Sequence, residues 1–97
     1  MEQNLTWEDF EKVDIRMGKV VDAAPYPVDF GEGLGVRKSS AQLTAHYTPE
    51  ELIGKQVVGV VNFPPRQIGK FMSEFLVVGI PDENGQPVLV SPDKDLP

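Results

Sequence analysis

Apolar and polar positions along this chain alternate mainly with the short period of extended strands, broken by two brief stretches of helical spacing. Val13, Ile15 and Met17 alternate with Asp14, Arg16 and Gly18, which predicts a strand from Val13 to Ala24. After Gly18 the phase slips, because Val20 and Val21 are adjacent. A glycine followed by a slip predicts a bulge, which lets one long strand curl round a small barrel. Gln56 to Phe63 carries Val57, Val58, Val60 and Val61 almost without interruption, the pattern of a buried strand. Pro64-Pro65 ends it, since neither residue has an N–H to donate. Phe75 to Ile80 and Val88-Leu89-Val90 predict two more strands, separated by a turn over Asp82 to Gly85. Between the first strand and these, Pro25-Tyr26-Pro27 interrupts, Val28-Asp29-Phe30 predicts a strand fragment, and Gly31 to Gly35 a flexible turn. Val36 to Leu43 is expected to resume the sheet.

The two helical stretches carry start signals. Thr6 can cap the first, with Asp9 at its third position and Leu5 placed to staple onto Phe10. Trp7, Phe10 and Val13 lie three apart and share a face, which suits packing on the core or, second to that, an interface with another subunit. Thr48-Pro49-Glu50-Glu51 is a cap, a proline at the first position and a glutamate at the third. Tyr47 and Leu52 are placed for a staple there, and Gly54 closes a helix of one or two turns. About five strands with two short helices leave no room for a parallel sheet with crossover helices. The expectation is therefore an all-β fold, a five-stranded Greek-key barrel with short helices.

Composition narrows the function classes. With 97 residues there is room for one domain, and its core is thin enough that a partner subunit would help. There is no cysteine, so disulfides, thiolate metal sites and cysteine nucleophiles are ruled out, and a reducing compartment fits. No basic-then-apolar leader and no bilayer-length apolar run is visible, so neither secretion nor membrane insertion is expected. Nine Lys and Arg stand against fifteen Asp and Glu, a formal charge of −6. Such a chain is a poor generic binder of phosphate backbones, and any nucleic-acid role needs a local basic patch.

Two stretches could form one. Asn62-Phe63-Pro64-Pro65-Arg66 leads into Lys70-Phe71 and Ser73-Glu74. The prolines stiffen a loop that holds Arg66 and Lys70 toward an anion, while Phe63 or Phe71 offers a stacking surface. The plainer reading is a loop whose aromatics seal the barrel end, with at least one of the two phenylalanines in the core. The second stretch, Arg37-Lys38-Ser39-Ser40 with Gln42, sets adjacent cations beside hydroxyls and suits phosphate or carboxylate contacts. A solvated strand edge guarded by lysine explains it equally well, until the first stretch is set beside it.

Other chemistry is thin. His46 is the only histidine and stands just before a capped helix, a structural position. No zinc ligand set, dinucleotide loop or phosphate loop is spelled, and Ser73 has no base beside it in sequence. No cofactor, metal or catalytic residue is expected, and the protein reads as a binding protein rather than an enzyme.

Several motifs together carry a resemblance. Phe10-Glu11-Lys12-Val13-Asp14-Ile15-Arg16-Met17-Gly18-Lys19-Val20, Tyr47 to Lys55, Asn62 to Arg66 and Ser73-Glu74 resemble the tRNA-binding domains related to those appended to methionyl-tRNA synthetases. Lys38 to Leu43 and Phe71-Met72-Ser73-Glu74 are similar to the CsaA-type export-related chaperones within that superfamily. The resemblance spans nearly the whole chain. It implies an OB-fold, a homodimer joined through its chain ends, and a cytoplasmic protein that binds preproteins or unfolded polypeptides, with structured tRNA as the alternative ligand. It places Arg16, Arg37, Lys38, Asn62, Arg66, Ser73 and Glu74 at or near the binding surface. The chain departs from the family pattern twice: Pro27 runs straight into Val28 where relatives carry a longer basic segment, and it ends early at Pro97. A segment missing between Pro27 and Val28, in a mobile loop, is expected. A piece of a larger synthetase is the further alternative, against which the initiating methionine and the nearby cap weigh.

Overall fold

The computed structural model describes residues 4–23, 26–39, 43 and 45–96. Its elements are mainly β, with two short helices. In chain order they are α1 (Trp7–Glu11), β1 (Ile15–Val20), β2 (Val28–Asp29), β3 (Val36–Arg37), α2 (Pro49–Leu52), β4 (Gln56–Val60), β5 (Arg66–Ile68), β6 (Phe71–Ser73), β7 (Leu76–Val77), β8 (Gly79–Pro81) and β9 (Pro87–Leu89). One antiparallel sheet has the order β3-β2-β1-β4-β7, and β5-β6 and β8-β9 form separate two-stranded ladders.

β1 and β4 are the spine. Their register runs unbroken from Ile15 opposite Val60 to Lys19 opposite Gln56. The expected bulge after Gly18 is therefore absent from β1, and the strand is shorter than Val13 to Ala24. The buried phase is also the opposite one: Gly18 and Val20 face inward, while Ile15 and Met17 face outward. Gly18 serves close approach instead of curvature. A Cβ there would lie 2.5 Å from Val28 Cγ1 and 2.9 Å from Phe30 Cδ1. Gly59 of β4 plays the same part, since a Cβ there would lie 2.8 Å from Phe75 Cδ2. The two glycines let Phe30 and Phe75 lie against the sheet, packed edge to face with centroids 4.9 Å apart. Around them Val20, Val28, Leu43, Leu52, Val57, Val61 and Leu89 complete the core.

The capping box before α2 forms as its residues predict: Thr48 accepts from the Glu51 N–H, and Glu51 accepts from the Thr48 N–H at 3.0 Å. Leu52 is fully buried. Tyr47 packs on the same core, and its hydroxyl accepts from the Leu89 N–H at 2.9 Å. The apolar run from Phe75 to Ile80 divides at Val78. Its N–H donates to Val58 O, and its carbonyl accepts from Val90, so the chain leaves β4 there and joins β9. The segment 82–85 turns as expected, with the Asp82 carboxylate accepting from the Asn84 and Gln86 N–H groups. Pro27 accepts from the Val21 N–H and Val28 lies opposite Val20, so the Pro27-Val28 junction sits within the β1–β2 pairing.

Helix α1 departs from its favoured reading. Thr6 caps it, accepting from the Asp9 N–H at 3.1 Å, but none of its residues is buried. Leu5 and Trp7 are both 72% exposed, and Phe10, Val13 and Ile15 are exposed with them. Trp7 and Phe10 cover one another at 5.7 Å, so their shared face is real, but it points outward and not into the core. A five-residue helix outside the strand ladder has no groove to fill. Among the described residues no helix is long and apolar enough to cross a membrane.

Candidate functional site

The segment after Pro64-Pro65 is a β-hairpin, not a loop. Arg66 pairs with Ser73, Gln67 with Met72, and Ile68 with Phe71 across the two-residue turn Gly69-Lys70. Gly69 takes φ +61, the conformation that a two-residue hairpin turn requires at its first position. Alternation then puts Arg66, Ile68, Phe71 and Ser73 on one face and Gln67 and Met72 on the other. The first face helps enclose a pocket of about 540 Å³. Arg66, Ile68 and Ser73 line it from the hairpin and Phe63-Pro64-Pro65 from the segment before, with buried Phe75 beneath and exposed Leu76 at its edge. Phe75 is only 4% exposed, whereas Phe63 stands 56% exposed at the mouth.

The second basic stretch joins this hairpin. The Lys38 N–H donates to Glu74 Oε1 at 3.1 Å, and the Glu74 N–H donates to Lys38 O at 2.7 Å. The Lys38 ammonium lies 5.6 Å from the centre of the Phe71 ring, within cation–π range. Neither Phe63 nor Phe71 belongs to the core, contrary to expectation: Phe63 is exposed and Phe71 half-buried. The prolines and the hairpin lift both off the barrel, and Phe75 seals it instead.

The remaining cations divide sharply. Arg37 is half-buried and donates to Leu34 O and Val61 O, so it ties β3 to the end of β4. Arg16 makes a two-pronged pair with Asp14 at 2.9 and 3.1 Å. That contact lowers the Asp14 pKa and raises that of Arg16. Lys12 lies 3.9 Å from Asp9. Arg66 and Lys70 are exposed, and among the described residues neither side chain has an ion-pair or hydrogen-bond partner. Asn62 is engaged at both ends of its amide, accepting from the Asp14 N–H and donating to Lys12 O, and so pins α1 to the sheet. Ser73 Oγ donates to Phe75 O at 3.4 Å. Ser39 borders a cleft of about 10 Å³, beside Tyr26 and Leu43. Ser40 and Gln42 lie outside the described residues. The structure thus gathers Lys38, Phe63, Arg66, Lys70, Phe71, Ser73 and Glu74 at one corner. It uses Arg37 and Asn62 to tie distant segments together, and leaves Arg16 exposed in a local pair with Asp14.

Sequence reasoning missed Ile68, Phe75 and Leu76 as pocket residues. The available signal was Ile68 and Phe71 flanking Gly69-Lys70, a hairpin signature hidden by the prolines before it. His46 sits across the molecule's turn at Asp82, its Nε2 2.7 Å from Asp82 Oδ2. Among the described residues no group of three or more acidic or histidine side chains could hold a metal ion.

The model of the tRNA binding domain family matches residues 15–97. A solved chaperone CsaA from Bacillus anthracis is 47% identical and superposes with a TM-score of 0.89, over 98% of this chain and 94% of that one. The chain belongs to the tRNA binding domain family, on its CsaA side. The family's fold is the OB-fold, and the strand order here is read in that frame. A CsaA chaperone from Picrophilus torridus is 39% identical with a TM-score of 0.85, over 97% of this chain and 95% of that one. The methionine–tRNA ligase of Porphyromonas gingivalis is 34% identical over 93% of this chain. The chain spans 14% of that ligase's length.

Proposed function

We propose that this chain is a non-enzymatic, dimeric, cytoplasmic binding protein of the export-chaperone type, which takes apolar side chains of unfolded polypeptide or preprotein into the hairpin pocket. The observation that carries this reading is the pocket itself: about 540 Å³, lined by buried Phe75 and by Leu76, Ile68, Phe63 and two prolines. That volume exceeds any single side chain, and its lining is that of a site for apolar groups. Dimerisation is supported by the outward row of Leu5, Trp7, Phe10, Val13 and Ile15, which no described residue buries.

Structured tRNA is the second reading, favoured by the match to the tRNA binding domain family. Against it stand the net charge of −6, the pairing of Arg16 with Asp14 and the engagement of Arg37 within the fold. Titrating a fluorescent unfolded model protein and a labelled tRNA at two salt concentrations separates the readings. Peptide binding through apolar contact changes little with salt, whereas binding through several phosphates falls steeply. Saturable tRNA binding with a steep salt slope, and none of the unfolded chain, would overturn the proposal.

A further inference from the structure

The pocket wall formed by β5 has a chemical pattern. Arg66 and Ile68 are two residues apart on one strand, so they project to the same side about 7 Å apart. An extended ligand repeats its side chains with the same spacing. Ile68 lines the apolar part of the pocket, while the Arg66 side chain stands exposed at its rim with no hydrogen-bond or ion-pair partner among the described residues. Two neighbours reinforce the sign, Lys70 at the hairpin turn and Lys38 over Phe71, and with Arg66 they outnumber the one carboxylate at this corner, Glu74. In a chain of net charge −6, this corner is locally positive.

We infer that the pocket selects extended polypeptide segments in which a large apolar residue and a carboxylate stand two positions apart, the apolar side chain on Phe75 and Leu76 and the carboxylate on Arg66. This rests on the polypeptide-binding reading above and adds the specificity of that site. Guanidinium at the mouth of an apolar pocket meets a carboxylate with two parallel hydrogen bonds, a geometry that selects for the ligand even where solvent screens the charges. A lysine at the same peptide position is repelled by Arg66, so discrimination arises from both signs.

The test uses fluorescein-labelled peptides of one polar background, differing at two positions: Phe-x-Glu, Phe-x-Gln, Phe-x-Lys and Ala-x-Glu. Binding to the full chain is followed by anisotropy at about 0.15 M salt, where long-range attraction is screened. The expected order is Glu, then Gln, then Lys, with about threefold between successive members and little binding of Ala-x-Glu. Arg66→Glu should reverse the order, and Arg66→Gln should flatten it, with circular dichroism melts showing that both variants are folded. Equal binding of the three Phe peptides overturns this inference and leaves the polypeptide reading standing. Ala-x-Glu binding as well as Phe-x-Glu also overturns it, and marks the corner as a general anion site of the kind RNA phosphates use. Failure of every peptide to bind defeats the underlying reading itself.

Discussion

Replacing Gly18 with alanine tests the packing on which the barrel depends. A methyl at that position would lie 2.5 Å from Val28 Cγ1, 2.9 Å from Phe30 Cδ1 and 2.9 Å from the Asp29 carbonyl oxygen. Carbon atoms in good contact sit about 3.5–4.0 Å apart, so the overlap with Val28 is about 1 Å. Val28 and Phe30 are both buried, which blocks escape into solvent, and Asp29 contributes backbone. Relief must come from β2 moving away from β1, although β2 is held by only two pairs on each side. Overpacking of this kind costs about 1–3 kcal/mol, and contact with backbone puts it at the upper end. Gly18 is not among the residues at positive φ, so alanine gains about 0.4–1 kcal/mol from a less flexible unfolded chain. The net is about 2 kcal/mol of destabilisation, or roughly 8–16 °C in Tm for a domain of this size. Thermal melts followed by circular dichroism measure it, with Lys19→Ala, exposed on the neighbouring position, as a control expected within about 0.5 kcal/mol of the parent. A Gly18→Ala protein melting within about 2 °C of the parent would refute the close-approach argument.

Other expectations follow from single contacts. Thr48→Ala removes the side-chain half of the capping box and should lower stability by about 1 kcal/mol in urea titration, while Thr48→Ser should not. Hydrogen bonds from the Gln86 N–H, the His46 ring and the Asn84 N–H hold the Asp82 carboxyl below the ordinary 3.8. The stability it contributes is therefore complete above that value and is lost as pH falls through the depressed one. Asp82→Asn should flatten the acid limb of a Tm-against-pH curve, and an unchanged limb would count against the contact. On the proposed dimer, Trp7→Asp should shift sedimentation toward monomer while peptide binding at the pocket persists, since Trp7 is 72% exposed and outside the pocket lining.

Where local chemistry alone determines structure, the sequence was readable. The cap at Thr48 and the turn at Asp82 to Gly85 each depend on residues within a few positions, and each forms, whereas β4 ends at Val60, before the prolines expected to stop it at Phe63. Facing was not readable in the same way. Period-two alternation assigns Ile15 and Met17 to one side of β1 but does not say which side is the core. Gly18, with no side chain, gave no apolar weight to the side that is actually buried. The same limit explains α1, whose face is apolar yet uncovered. At the site, residue type identified Arg66, Lys70, Phe63 and Glu74, but charge alone could not show which arginines the fold employs internally. Arg16 finds Asp14 two residues away, and Arg37 finds a carbonyl 24 positions on, at Val61. The first contact lies along one strand and could be anticipated. The second exists only once β3 has curled beside the end of β4.

The pocket owes its shape to three separate restraints on one hairpin. On its entry side, Pro64-Pro65 fix two φ angles and remove two donors, so the chain enters β5 in a stiff form. On its exit side, the paired hydrogen bonds between Lys38 and Glu74 moor the hairpin to the chain just beyond β3. Beneath it, the missing side chain at Gly59 lets Phe75 settle against the sheet and makes a floor that rotamer exchange cannot easily remove. A site held in this way gives up little conformational freedom when a ligand arrives, so a modest apolar contact can yield useful affinity. Gly59→Ala displaces the floor without touching a rim residue. Its Cβ would press on Phe75 Cδ2 at 2.8 Å and Phe30 Cζ at 3.1 Å, which drives Phe75 toward the pocket. Peptide affinity should therefore fall in a variant whose Arg66 and Phe63 are intact, and by more than in Met72→Ala, which lies on the hairpin's other face. If both variants bind alike, the floor does not set the affinity, and the rim alone must carry it.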